Sequence, residues 1–343
     1  MGVLSINIRV EEQLYPNGAL RSRRYYLDNI FHFHREDGPA YEQFYANGVV
    51  ATRKWYNHGQ IHREDGPAIE SFAISGSINE REWWIDNKRH RIGGPAIEQF
   101  YEDGILQSRH YYYRGKLHCD DGPAERWFSR NGQILSQAWF VSNNRHCVDG
   151  PAFESFYLDG TISRRSWHIA GKSHREDGPA QERFYPNGNI EYYSYYNHGK
   201  RHCETGPAHE SFYKNGNSGL REYYAHNEYH REDGPAQERF YENGNITFRN
   251  YYIHGKRHRE DGPTHESFCR NGNIQFRIYH FHEKKHRIDG PALERFTGAG
   301  VFCDSEYWFD DKQVTEVEHR RLVALHKLST QLHANRPNEE VSL

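Results

Sequence analysis

A Gly-Pro pair returns every 28 residues without a slip, its glycine at Gly38, Gly66, Gly94, Gly122, Gly150, Gly178, Gly206, Gly234, Gly262 and Gly290. No other feature constrains the chain as strongly. A strict period of this length means that one supersecondary unit is repeated and that neighbouring copies supply each other's core. Four residues before each glycine stands a histidine: His34, His62, His90, His118, His146, His174, His202, His230, His258 and His286. The residues between are most often Arg-Glu-Asp, so the recurring block reads His-Arg-Glu-Asp-Gly-Pro-Ala. Proline fixes φ and withholds an N–H, and 10 of the 13 prolines sit in this block, which predicts a rigid corner.

Ten residues after each of those glycines comes a second one, from Gly48 to Gly300, preceded by Asn or Asp in eight of ten copies. Asn-Gly between alternating runs is a strong hairpin signal, and a two-residue type I′ turn at Asn47-Gly48 is expected. That turn pairs residues whose numbers sum to 95: Ala40 with Trp55, Glu42 with Arg53, Phe44 with Ala51. The rung repeats, with Glu70 facing Arg81, Glu98 facing Arg109 and Glu154 facing Arg165. Opposite charges placed so contribute roughly 0.2–1 kcal/mol per pair. A phenylalanine ladder runs through all copies: Phe44, Phe72, Phe100, Phe128, Phe156, Phe184, Phe212, Phe240, Phe268 and Phe296. The opposite face also carries rings, such as Tyr45 and Tyr56, so alternation alone leaves open which face is covered. Gly59, Asn87, Gly115, Asn143, Gly171 and Gly199 suit left-handed positions after the second strand.

Composition agrees with a thin body. Apolar residues are 36% of the chain and mean hydropathy is −1.03, too little for stacked hydrophobic layers, yet aromatics reach 15%, which disordered chains lack. The fold class expected is all-β: an elongated antiparallel meander of ten hairpin repeats, which as an open sheet would extend on the order of 100 Å. A partial repeat over 8–37 precedes the first full one. Val10, Glu12 and Leu14, with Asn17-Gly18 and Arg23, follow the same rung order, offset by a two-residue insertion near Asn29–Phe33. At the other end Thr315-Glu316-Val317-Glu318 is a capping box. The helix over 315–334 carries Leu322, Leu325, Leu328 and Leu332 as an apolar stripe, and Asn335 and Pro337 stop it before a flexible tail, 335–343. It is read as a cover for the last strand; a docking or self-association helix is the rival.

A net charge of −3 without long single-sign runs argues against a nucleic-acid surface. Five cysteines without a Cys-x-x-Cys pair, and no apolar leader, favour a cytoplasmic setting; the Met1–Ile6 stretch misses the myristoylation pattern by one place. No run of 18 apolar residues exists. The histidine ladder beside Glu and Asp invites a metal or pH-sensing reading. However, a catalytic group is needed once and a structural group in every copy, so each imidazole is expected to bond backbone or a neighbouring acid. His118, Cys119, His146 and Cys147 could be imagined as zinc ligands, but adjacent strand residues point to opposite faces. No catalytic, cofactor or metal residue is therefore expected.

The string Tyr252-Ile253-His254-Gly255-Lys256-Arg257-His258 resembles the MORN repeat, and more closely its longer variant with the His-Arg-Glu-Asp-Gly-Pro-Ala block. Arrays of that variant look similar to proteins encoded in many copies by large DNA viruses of amoebae, and to some phage and bacterial chains. The resemblance, over roughly residues 8–314, implies single-layer hairpin meanders and links to scaffolding, dimerisation and phospholipid headgroups. The 28-residue period and the Arg-Glu-Asp insert depart from the standard form, so lipid binding does not carry over. The function expected is a non-enzymatic scaffold that binds a protein partner, virus-encoded, in host cytoplasm or virion. The alternative is a peripheral headgroup-binding module using Lys200, Arg201, Lys256 and Arg257.

Overall fold

The computed structural model describes residues 8–27 and 32–334; the expectations for Met1–Ile6, for the insertion around Asn29 and for the residues from Asn335 onward lie outside them. The chain divides into two compact halves, Met1–His174 with Pro186–Gly188, and Arg175–Tyr185 with Asn189–Leu343. Within each, ladder strands pair antiparallel in chain order. They number 23, twelve in the first half and eleven in the second, followed by one helix, α1 (Glu316–Ala334). The expected all-β hairpin array with a C-terminal helix is what forms.

The partial repeat is a hairpin of β1 (Ile8–Leu14) and β2 (Leu20–Leu27), with Glu12 facing Arg23. In the first full repeat, β3 (Tyr41–Phe44) pairs with β4 (Val50–Lys54), and Glu42 faces Arg53 as expected. The turn between them differs from expectation. Gly48 has φ +87° but Asn47 is not left-handed, and the Tyr45 carbonyl accepts from Gly48 N–H at 2.9 Å while Tyr45 N–H donates to Val49 at 2.8 Å. This is a type I turn followed by a left-handed glycine, a three-residue loop with a bulge. Asn47 Oδ1 accepts from Val49 N–H at 3.1 Å, which holds the asparagine in right-handed geometry. The extra residue shifts the last rung, so Phe44 faces Val50 rather than Ala51. Nor is Ala40–Trp55 a rung: Trp55 N–H bonds to the Ala68 carbonyl of the next repeat at 2.8 Å.

The type I′ turn exists, but in a second hairpin that the sequence reading left out. β5 (Tyr56–Asn57) and β6 (Gln60–Ile61) pair around His58 and Gly59, at φ +48° and +80°. Each later repeat has such a short hairpin, for instance around Asp86–Asn87 and Arg114–Gly115. Gly59 N–H reaches back to the Phe33 carbonyl at 2.9 Å, and Asn87 N–H to that of Ile61 at 3.0 Å, so short hairpins bond one to the next.

Burial follows from this layout. The block alanines (Ala40, Ala68, Ala96, Ala124, Ala152 and their later equivalents to Ala292, with Thr264 in the one exception) are 0% exposed, because the corner folds over them. The face bearing Glu42 lies under the block, while the face bearing Tyr41 meets short-hairpin rings, as when Phe33 stacks on Tyr56 at 4.9 Å and meets Tyr41 edge-on at 6.1 Å. Both faces of the sheet are thus partly covered.

Helix α1 begins with its capping box formed, Thr315 N–H to Glu318 at 2.9 Å and Glu318 N–H to Thr315 Oγ1 at 3.2 Å. The side that docks is not the leucine stripe. His319 and Val323 are buried, His319 Nε2 bonding the Arg287 carbonyl at 2.6 Å, while Leu325 and Leu328 face solvent; the Leu332 side chain lies outside the description. The helix covers Tyr307 and Phe309 at the end of the last long strand, and leaves Val301 and Phe302 exposed.

Candidate functional site

The block is a clamp built on arginine. Arg63 reaches back eight residues to lie over Trp55, its guanidinium carbon 4.2 Å from the ring centroid. The same fork bonds Asp65 at 2.8 Å and the Pro67 carbonyl at 3.2 Å, so cation–π, charge and hydrogen bonding act on one group. Arg35 over Tyr25, Arg91 over Trp83, Arg231 over Tyr223, Arg259 over Tyr251 and Arg287 over Tyr279 repeat it at 3.8 to 4.3 Å. In the later repeats the guanidinium also approaches the rung glutamate, as Arg287 does Glu294 at 2.9 Å. The bond from Arg63 holds the Asp65 carboxyl below the usual range.

This clamp explains the block glycine. Its φ is not left-handed; instead a Cβ at Gly66 would sit 2.9 Å from the Arg63 guanidinium carbon, and the same holds at Gly38, Gly94, Gly178, Gly234 and Gly262. Only glycine lets the planar group lie flat on the corner.

The ladder histidines hold the next repeat's short turn. His34 Nδ1 accepts from His58 N–H at 3.2 Å, His62 from Asp86 at 3.3 Å, and His90, His146, His230 and His286 do likewise from residues 24 further on. That N–H belongs to a left-handed residue with no ladder partner. Nε2 faces the block acid loosely, 3.6 Å for His62 to Glu64. His118 and His202 have buried Nδ1 atoms without a hydrogen bond, and His258 is exposed. The ladder phenylalanines are all half-buried. The preceding repeat's rung arginine lies over them, Arg53 over Phe72 at 5.7 Å and Arg221 over Phe240 at 5.2 Å, and their carbonyls accept a tyrosine hydroxyl, Tyr45 to Phe72 at 2.9 Å.

Among the described residues no three His, Cys, Asp or Glu side chains gather in a way that could hold a metal ion, and all five cysteines are free. Of the four basic residues singled out for headgroups, Arg201 is held between Tyr196 and Tyr224, while Lys200, Lys256 and Arg257 are exposed.

Departures from the block fall in five repeats, three of them consecutive: Ile92-Gly93, then Cys119-Asp120, then Cys147-Val148, with Cys203 and Thr205 in a later repeat and Ile288 in the last. Ile92 is 85% exposed and Val148 75%, both where the consensus has glutamate. A recess of 440 Å³ lies at the middle corner, lined by Ile92, Tyr111, Tyr113, Cys119, Asp121 and Arg126 among others. The sequence marked Cys119 and Cys147 as possible ligands, whereas what they share with Cys203 is a corner without its arginine.

Residues 180–198 match the family model described as MORN repeat variant. That segment is similar to a MORN repeat. No curated protein matches the chain. Among solved structures, alternansucrase in complex with isomaltononaose is similar at 15% identity over 79% of this chain and 18% of that one, TM-score 0.18. TcdB2-TccC3 is similar at 12% over 90% and 19%, TM-score 0.13, and the Photorhabdus luminescens Tc holotoxin pore at 10% over 88% and 14%, TM-score 0.15. The chain spans less than a fifth of each of these chains.

Proposed function

We propose that the chain is a non-catalytic scaffold that binds a protein partner along its block corners. The observation that carries this reading is the pair of departures at Ile92 and Val148, where outward glutamates give way to exposed apolar side chains, Ile92 at the edge of a recess, while the hairpins beneath keep their pattern. Exposed apolar groups beside rings are what interfaces use, and a solvated corner has no need of them. The MORN-type repeat fits a module of this kind. Five unpaired cysteines fit a reducing compartment, and the resemblance to virus-encoded arrays favours a viral origin, with action in host cytoplasm or virion.

The test is capture with the intact chain and with Ile92→Glu plus Val148→Glu, which restore the consensus and leave the clamps untouched. A partner held by the first and released by the second supports the reading; equal capture contradicts it. The lipid alternative predicts flotation with anionic vesicles that fades between low and high salt.

A further inference from the structure

The corner made by Trp139, Cys147, Asp149, Gly150, Pro151 and Glu154 has every part of the clamp except the arginine. We propose that it is a binding site for an arginine side chain of a partner protein, an inference that deepens the interaction reading above.

Six sister corners within the chain show what this arrangement holds. There the guanidinium lies on a ring eight residues earlier, ten in the case of Arg35 over Tyr25, bonds the aspartate two residues on where one is present, and bonds the proline carbonyl four residues on in five of the six. It approaches the glutamate seven residues on in the copies at Arg231, Arg259 and Arg287. Counted from Cys147, these places are Trp139, Asp149, Pro151 and Glu154. The space is open as well. A Cβ on Gly150 would meet nothing within 4 Å, whereas at six of the arginine-bearing corners it would meet the guanidinium within 3.0 Å. Among the described residues no cation stands over Trp139. Tryptophan is the strongest of the ring acceptors for a cation.

The other two cysteine corners are poorer copies. At Cys119 the glutamate place is taken by Arg126, whose charge opposes a second guanidinium, and at Cys203 the aspartate place is taken by Thr205. Selectivity for arginine over lysine follows from shape: only a planar fork can lie flat on the ring and reach a carboxylate and a carbonyl together.

The probe is acetyl-arginine amide, titrated into the intact chain with indole-¹⁵N tryptophan, the Trp139 signal being assigned with Trp139→Tyr. The expected result is a saturable shift of that signal, with acetyl-lysine amide and the neutral acetyl-citrulline amide at least about tenfold weaker. Cys147→Arg, which supplies the guanidinium from within, abolishes the response, and Asp149→Asn weakens it about tenfold. No saturable shift, an equal response to lysine, or an undiminished response in Cys147→Arg would overturn the proposal. A single amino-acid derivative needs no partner, so this site can fail while the capture experiment succeeds, and the reverse.

Discussion

At the residue scale the repeat is held by groups that each have two or three partners. The corner arginine touches a ring, a carboxylate and a carbonyl, and the glycine beside it exists to admit it. Gly66→Ala therefore pushes Arg63 off Trp55 and costs about 1 kcal/mol, whereas Gly150→Ala, in a corner without arginine, is tolerated; urea unfolding of both variants separates them. Histidines set the acid limit. Burial, and then Arg257 and Lys285 nearby, push His280 down to about 4, and burial first of all lowers His209, His265 and His286 too. These rings are neutral when folded and take up protons on unfolding once pH falls below their ordinary value of about 6.5. The stability they contribute is whole above that pH and is lost as it falls toward 4, a window above that of the aspartates held low by arginine. Thermal midpoints should decline through that window, and less so in His280→Gln. A flat profile between 6.5 and 4 contradicts this.

Two hairpins of unlike size alternate at the element scale. The long one was legible because its alternation, its Asn-Gly turn and its Glu/Arg rung all point to one register through Glu42–Arg53. Its turn type was misread because Asn47 is held right-handed by its own side chain, a local bond that residue type alone does not reveal. The short hairpin was illegible for another reason. Two-residue strands cannot show alternation, and its first turn residue varies among His58, Asp86, Arg114, Ser142 and Ala170, so no single residue type marks the place. Those residues adopt positive φ because the preceding repeat accepts their N–H groups, through ladder histidine Nδ1 atoms, and tertiary bonding overrides propensity. Asn87 does more than fill its left-handed place, since its Oδ1 accepts from Ile61 N–H at 2.8 Å. Asn87→Gly keeps the backbone and loses that bond, for a cost of about 1 kcal/mol, while Gly115→Asn can gain the equivalent one. Equal stability of Asn87→Gly and the parent would count against the stacking described.

Within each half, a repeat bonds residues 13 to 27 places away in its neighbour, so stability is shared between adjacent repeats as in other arrays. The last repeat has no successor, and α1 covers its Tyr307 and Phe309. A chain ending at Val314 should expose those rings and self-associate in light scattering. A full-length dimer that becomes monomeric on the same truncation would instead give the exposed Leu325–Leu328 face an assembly role. The central claim is that the recurring block holds the repeats together through its arginine. Moving the clamp tests this most directly. Thermal unfolding of Arg63→Cys and Cys147→Arg should show shifts of opposite sign, the first destabilised and the second stabilised by about 1 kcal/mol each. If removing Arg63 changes nothing and restoring an arginine at position 147 lowers stability, the block does not hold the repeats together and the account fails.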